Sequence, residues 1–317
     1  MWIPRLIVCY FLICMFLLGP GIASGQSYPT KAIRIVTAAV GSANDLCARI
    51  VAKDLTGRLG QPAIVENPGG RAVEVVVNAA PDGHTVLFYG SATYTMPLIR
   101  SEKYSIADLA PVSLSISSPN IVVVHPSVPV KSLKELIALA KARPGKLNYA
   151  AGTVGASPHT SMELFKSMTG VDIVRVPYKG TGPSVLALVA GEVDMMIAGL
   201  GSVETFIKSG KLRALAGTSA KRSELIPELP TVAEEGVPGY EAASRMGFYV
   251  PAKTPAFVIN RLYQEVSRSV KTPQAKELFL RNGIEAVGST PEEFAALIKT
   301  EMGWISKLIR EGRIRTE

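Results

Sequence analysis

The feature that most constrains this chain is a regular alternation. From Ile33 almost to the C-terminus, short runs rich in β-branched residues recur between longer stretches with helical spacing. Such alternation is the signature of an α/β protein with largely parallel sheets. In the first half the spacing predicts strands over 33–38, 63–66, 85–89, 112–116 and 121–124, with helices over 44–59 and 132–142. Within the first helix, Leu46, Ile50, Ala52, Leu55 and Leu59 recur on one face. Ser132 and Glu135 form a capping-box pattern for the second. A second set begins at Leu147, with strands over 147–150, 173–177, 193–198 and 214–218. Its helices are expected over 157–169, 183–190 and 202–209. A late return strand over 247–250 is followed by helices 255–272, 273–282 and 291–311, each opening on a proline, a residue favoured in the first helical turn.

Two α/β sets and one late strand imply two lobes joined by two crossings. The crossings are expected through about 119–124 and 243–250. Lobe 1 is then 26–120 plus 246–317, and lobe 2 is 121–245. There is no internal sequence repeat and no low-complexity segment.

The amino terminus bears on compartment. After Arg5 runs an apolar stretch, 6–18, and then Gly21-Ile22-Ala23-Ser24-Gly25. Thirteen apolar residues are short for a membrane span, which takes about 20. A cleaved export signal over 1–25 is expected, with Gln26 as the first mature residue. Cys14 follows Ile13 rather than a small residue, so lipidation is not expected. Two of the three cysteines, Cys9 and Cys14, leave with the signal. The remaining Cys47 sits in an apolar helical pattern and reads as a buried structural thiol. Cleavage leaves 292 of 317 residues, enough for two cores. The net charge of +8 falls to +7 with loss of Arg5. The basic residues are scattered and the chain is exported, so nucleic acid is not an expected partner. Solubility, or a mild attraction for anionic solutes, accounts for the charge.

Ligands of open α/β sheets bind outside the carboxyl ends of the strands, in the crevice between domains. The loops there are built from small polar residues. Ala39-Val40-Gly41-Ser42-Ala43-Asn44-Asp45 leads into the first helix, where free N–H groups can hold a carboxylate. Asn44 and Asp45 equally suit plain N-caps. Asn148 to Ser157 repeats the design in the second lobe, with Gly155, Ala156 and Ser157 at the helix start and His159 in its first turn. His159 reads either as a ligand contact or as a packed group. Tyr178-Lys179-Gly180-Thr181-Gly182-Pro183 is a third such loop, and Tyr89-Gly90-Ser91-Ala92-Thr93 adds hydroxyls, Ser91 among them.

At this point the chain resembles the Bug-type receptors, the solute-binding components of tripartite tricarboxylate transporters. The resemblance spans nearly all of the mature sequence. It is carried by Tyr28-Pro29-Thr30-Lys31-Ala32-Ile33-Arg34, Asp45-Leu46-Cys47-Ala48-Arg49, Val65-Glu66-Asn67 and Pro81-Asp82-Gly83-His84-Thr85. Val176-Pro177-Tyr178-Lys179-Gly180, Gly191-Glu192-Val193-Asp194, Pro238-Gly239-Tyr240-Glu241 and Ser289-Thr290-Pro291-Glu292-Glu293-Phe294 extend it. The resemblance implies a two-lobed periplasmic binding protein fold, type II-like, that closes as a monomer on a small organic acid. It also implies that backbone N–H groups at Val40, Gly41, Ser42 and Asp45, and at Gly155, Ala156 and Ser157, hold a ligand carboxylate, with Thr181 and Gly182 nearby. Membrane permease subunits are the implied partners. A receptor feeding a two-component sensor is the alternative role.

Two departures stand out. The first loop reads Val40-Gly41-Ser42 where the family usually has proline-glycine-glycine. Arg245 stands where an aromatic residue is common. At the cleft edge an arginine can pair with a second carboxylate; the other reading is a surface ion pair. A competing class, an exported hydrolase, needs a nucleophile–base pair or a metal cluster. His84, His125 and His159 lack metal-ligand spacing and there is no Gly-x-Ser-x-Gly elbow. Neither catalysis nor a cofactor is expected.

Overall fold

A computed structural model of the chain describes residues 28–38, 40, 43–152 and 154–314. The expected export signal (1–25), Gly41 and Ser42 lie outside the described residues. The strands are β1 (Ile33–Val36), β2 (Ala63–Glu66), β3 (Thr85–Gly90), β4 (Leu109–Val124), β5 (Asn148–Ala151), β6 (Val174–Pro177), β7 (Met195–Gly199), β8 (Arg213–Gly217), β9 (Ala243–Pro251) and β10 (Glu285–Ala286). The helices are α1 (Ala43–Leu59), α2 (Ala72–Val77), α3 (Ala92–Ile99), α4 (Leu133–Ala142), α5 (Ser157–Thr169), α6 (Thr181–Val189), α7 (Leu200–Lys208), α8 (Ala256–Val270), α9 (Pro273–Leu280) and α10 (Pro291–Arg310).

The fold is two-lobed and α/β. In the first group of strands β2, β1 and β3 are parallel, β9 runs antiparallel beside β3, and β4 lies beyond β9. In the second group β6, β5 and β7 are parallel, β4 runs antiparallel beside β7, and β8 lies beyond β4. The two orders, 2-1-3-9-4 and 6-5-7-4-8, are the same pattern. A topological repeat therefore exists where the sequence shows none. In each group the antiparallel strand is also a crossing.

Both expected crossings are present, but the first belongs to one long strand. The spacing predicts two strands here, 112–116 and 121–124. The structure runs β4 unbroken through both. Pro119 pairs with Ala243 and Pro111 with Tyr249, and the register shifts between Pro111 and Ser113. A proline cannot donate to a ladder, and the bulge beside Pro111 absorbs that one, while Pro119 sits in unshifted register.

The cores follow from the periodicity. Ile33, Ile35, Val86, Phe88, Phe248 and Val250 pack against Cys47, Val51 and Leu55 of α1 and Val258, Leu262 and Val266 of α8. In the second group Val122, Val124, Tyr149, Ile197 and Leu215 pack against Leu133 and Leu136 of α4 and Met162 and Phe165 of α5. Each such buried side chain contributes about 1.5–3 kcal/mol of transfer free energy. Cys47 is fully buried, and desolvation raises the pKa of its thiol.

Helix ends depart in detail. Ser132 accepts from the N–H of Glu135 (3.2 Å), but the Glu135 carboxylate reaches the N–H of Lys131 (2.6 Å) rather than that of Ser132. The box is therefore displaced by one residue. A complete capping box forms at α10 between Thr290 and Glu293. Pro273 and Pro291 occupy the first helical turn, whereas Pro255 is the N-cap of α8.

Candidate ligand-binding site

The parallel strands β3, β5, β6 and β7 each run directly into a helix: α3, α5, α6 and α7. None of these four helices has a side-chain cap. Their N-cap residues are Ser91, Ala156, Gly180 and Gly199, and none accepts a capping hydrogen bond. Side-chain caps occur instead on α4, α9 and α10, from Ser132, Thr272 and Thr290. Those three do not follow parallel strands. The first N–H groups of a helix lack intrahelical partners and carry partial positive charge. At these strand ends no side chain takes them up, although the Tyr94 N–H donates to the Ser91 carbonyl (3.0 Å) and Pro158 and Pro183 carry none.

The loop into α5 is held from several sides. Gly155 adopts φ +78°, and a Cβ there would lie 2.6 Å from Cδ1 of Ile99 on α3. The Thr95 hydroxyl, also on α3, donates to the Gly155 carbonyl (3.2 Å). Ser91, Thr95, Ser157, Thr160 and Trp304 border one void of about 10 Å3. A space that size holds one water at most. Ser91 and the α5 start, distant in sequence, are thus neighbours. The second loop abuts the first: a Cβ on Gly152 would lie 3.0 Å from Cα of Gly180. Thr181 and Gly182 follow, exposed, at the start of α6.

His159 is buried behind this loop. Its Nδ1 accepts from the Gly155 N–H (3.2 Å), so the ring proton sits on Nε2. Desolvation first, then the Arg175 and Lys166 charges, lower its pKa to about 4. It is neutral at pH 7 and holds the loop. Arg175 adds a second hold, donating from Nη2 to the Gly152 carbonyl (3.0 Å).

On the other side, Asp45 is buried in the first turn of α1 and accepts from Arg49 (3.0 Å) and from Asn67 (3.0 Å). Asn67 also donates to the carbonyl of Ala38 (2.5 Å), tying the β1–α1 loop to the end of β2. With Arg49 beside it, Asp45 presents little net charge to an anion. Asn44 is buried and Val40 is exposed. Arg245 lies on β9 with its guanidinium engaged by Glu301 of α10 and by Glu241. The Glu301 carboxylate also accepts from the Tyr94 hydroxyl of α3. The ion pair is thus largely buried rather than on the surface, with the Arg245 side chain 9% exposed.

Sequence reasoning passed over Asn120. It is fully buried where β4 leaves one strand group for the other. Its Nδ2 donates to the Ser157 hydroxyl (2.9 Å), and its Oδ1 accepts from Ser244 of β9 (3.0 Å). One amide therefore links both crossings to the start of α5. The available signal was a polar side chain at the head of an apolar run.

A two-lobed fold with uncapped helix starts at its strand ends defines a solute-binding receptor of the periplasmic binding type. The chain belongs to the tripartite tricarboxylate transporter receptor family: the sequence profile described as "Tripartite tricarboxylate transporter family receptor" matches residues 47–314. Proteins of this family are solute receptors, not enzymes. Protein BugT of Bordetella pertussis is 34% identical over 312 residues, covering 95% of this chain and 96% of BugT. The structure titled "R. palustris Rpa4515 with adipate" is 32% identical with a TM-score of 0.76, covering 92% of this chain and 100% of that one. MatC from Rhodopseudomonas palustris, solved with malate, is 27% identical with a TM-score of 0.71, covering 89% and 100%.

Proposed function

We propose that this chain is an exported receptor that captures a small carboxylate-bearing metabolite between its lobes and delivers it to permease subunits of a tripartite transporter. The observation that carries the reading is the set of uncapped helix starts at the ends of β3, β5, β6 and β7, drawn from both strand groups. Oriented N–H groups in a sheltered crevice suit a carboxylate, each charge-assisted hydrogen bond being about twice as strong as a neutral one. Two relatives solved with dicarboxylates, adipate and malate, support the class of ligand.

In this reading lobe 1 is 26–120 plus 246–317 and lobe 2 is 121–245. The change of partners along β4, from β9 up to Pro119 to β7 from Asn120, supports that division. Lobe 2 offers Gly155, Ala156 and Ser157, with Thr181 and Gly182 beside them. Lobe 1 offers Val40, Gly41, Ser42 and Asn44, with Ser91 and a neutralised Asp45. His159 stands behind the loop as its support, and Arg245 braces the crossing. Ligand bridging the lobes favours the closed form by its differential contacts there.

The test is a thermal-shift screen of the mature protein against mono-, di- and tricarboxylates, amino acids, nicotinate and nicotinamide. Mass spectrometry of whatever the purified protein retains complements it. Stabilisation by a carboxylate and not by its amide analogue is expected. A panel in which only uncharged amides raise the melting temperature contradicts the proposal.

A further inference from the structure

The C-terminal helix α10 is anchored in both strand groups. In its first half Phe294 and Ile298 are buried with Val36, Leu109 and Tyr249 of the first group. The rings of Phe294 and Tyr249 lie 5.1 Å apart. Glu301, one turn further on, takes the Arg245 guanidinium and the Tyr94 hydroxyl. In the second half Ile305 and Leu308 are buried with Ile99 of α3, and Val154 and Leu164 of the second group pack against them. The Ser167 hydroxyl of α5 donates to the Glu311 carboxylate (3.2 Å), just past the end of the helix. The helix therefore ties the two groups together in addition to β4 and β9.

Two observations bear on the stretch between these anchorages. Gly303 stands there, exposed, in the interior of a 20-residue helix, and a Cβ on it would meet nothing within 4 Å. Glycine is the poorest helix former after proline, and no neighbour excludes a larger residue at this position. The helix is thus weakest between its two attachments. Beside its second half lies a cavity of about 350 Å3, lined among others by Leu164, Met168, Leu297, Trp304 and Leu308. Close-packed interiors resist the displacement of a helix, and open space at this face gives the side chains room to shift.

We propose that α10 is a jointed clasp. Its first half stays with lobe 1, and from Gly303 onward it yields and follows α5 of lobe 2 when the lobes change their separation. Small residues and element ends commonly absorb such backbone changes. The joint is a property of the helix and its packing; its use in closure rests on the receptor reading above.

The test is native-state hydrogen exchange of the mature protein, without added ligand, resolved along α10. The amides of 304–310 are expected to exchange as one unit, faster than those of 294–301, with the boundary at Gly303. Gly303→Ala should slow 304–310 about fivefold, the equivalent of the roughly 1 kcal/mol that separates the two residues in a helix, and leave 294–301 unchanged. Leu164→Ala, on α5, should speed 304–310 at least about tenfold and again spare 294–301. A helix that exchanges as a single unit, a smooth gradient of fraying toward 310, or a Gly303→Ala effect shared equally by both halves overturns the joint. A second half indifferent to Leu164→Ala overturns its attachment to lobe 2. No solute is present in these measurements, so either failure is distinct from a failure of carboxylates to bind in the cleft.

Discussion

At the scale of single residues, three of the polar side chains singled out in the sequence, Asp45, His159 and Arg245, are engaged within the protein itself. Arg245 is the clearest case. Its guanidinium is taken up by Glu301 and Glu241, and Glu301 in turn holds Tyr94. Removing one partner of a buried pair strands the other charge and costs about 3 kcal/mol or more. Arg245→Ala is therefore expected to lower stability by that amount in urea unfolding while leaving affinity for the bound acid within about threefold, a fraction of the 1.4 kcal/mol that makes a tenfold change. A loss of affinity without loss of stability would return Arg245 to the ligand. His159 makes a pH prediction. Its pKa falls from 6.5 to about 4 on folding, so the unfolded chain takes up the proton first as pH drops. Its stabilising contribution is complete above about pH 6.5 and declines between that value and about 4, by roughly 3 kcal/mol in all. His159→Gln should flatten that part of the stability–pH curve.

At the scale of elements, the start of α5 sets function against stability. Ala156 occupies the N-cap position with extended dihedrals and offers no oxygen. A capping carboxylate there stabilises a helix by about 1 kcal/mol. It would also occupy the N–H groups proposed for the ligand. Ala156→Asp is expected to raise the unfolding midpoint and to weaken carboxylate binding at least about tenfold, readable by calorimetry on one sample. A variant that gains stability and keeps its affinity would place the carboxylate elsewhere. The element pattern itself was largely legible. The span 157–169 was read with the observed bounds, and Gly170 closes it with φ 71°. The helix α3 has no counterpart among the elements that the spacing predicts. Its sequence, Ala92-Thr93-Tyr94-Thr95-Met96-Pro97-Leu98-Ile99, has three β-branched residues and an internal proline, which disfavour a helix. Tertiary contacts override that preference through the Tyr94–Glu301 and Thr95–Gly155 hydrogen bonds.

At the scale of the whole molecule, two strands stitch the lobes, and any closure falls where β4 changes partner, from β9 at Pro119 to β7 at Asn120, with β9 beginning alongside. Asn120 marks that point on β4, and Ser244 of β9 donates to its side chain (3.0 Å). Trp304 is the single tryptophan after residue 25, Trp2 being the other. It borders the same void as Ser91, Thr95, Ser157 and Thr160. Ligand-driven closure should therefore change its emission and reduce the radius of gyration in X-ray scattering. Tight binding with neither change would contradict a closing mechanism.

The sequence alone determined the α/β class, the two-set organisation, both crossings and the small-residue loops. Each of these is encoded locally, in a period of 2 or 3.6 residues or in a run of glycine and serine. Only the tertiary structure decided that 2-1-3-9-4 and 6-5-7-4-8 are one pattern used twice, because strand order is set by packing across the chain. It alone brought Arg245 to Glu301 and Asn120 to Ser157, pairs separated by 56 and 37 residues. And it alone placed His159: burial and the nearby cations keep the ring neutral, and its Nδ1 accepts from the Gly155 N–H at the start of α5. Such properties depend on desolvation and on distant charges, which no short stretch of sequence records.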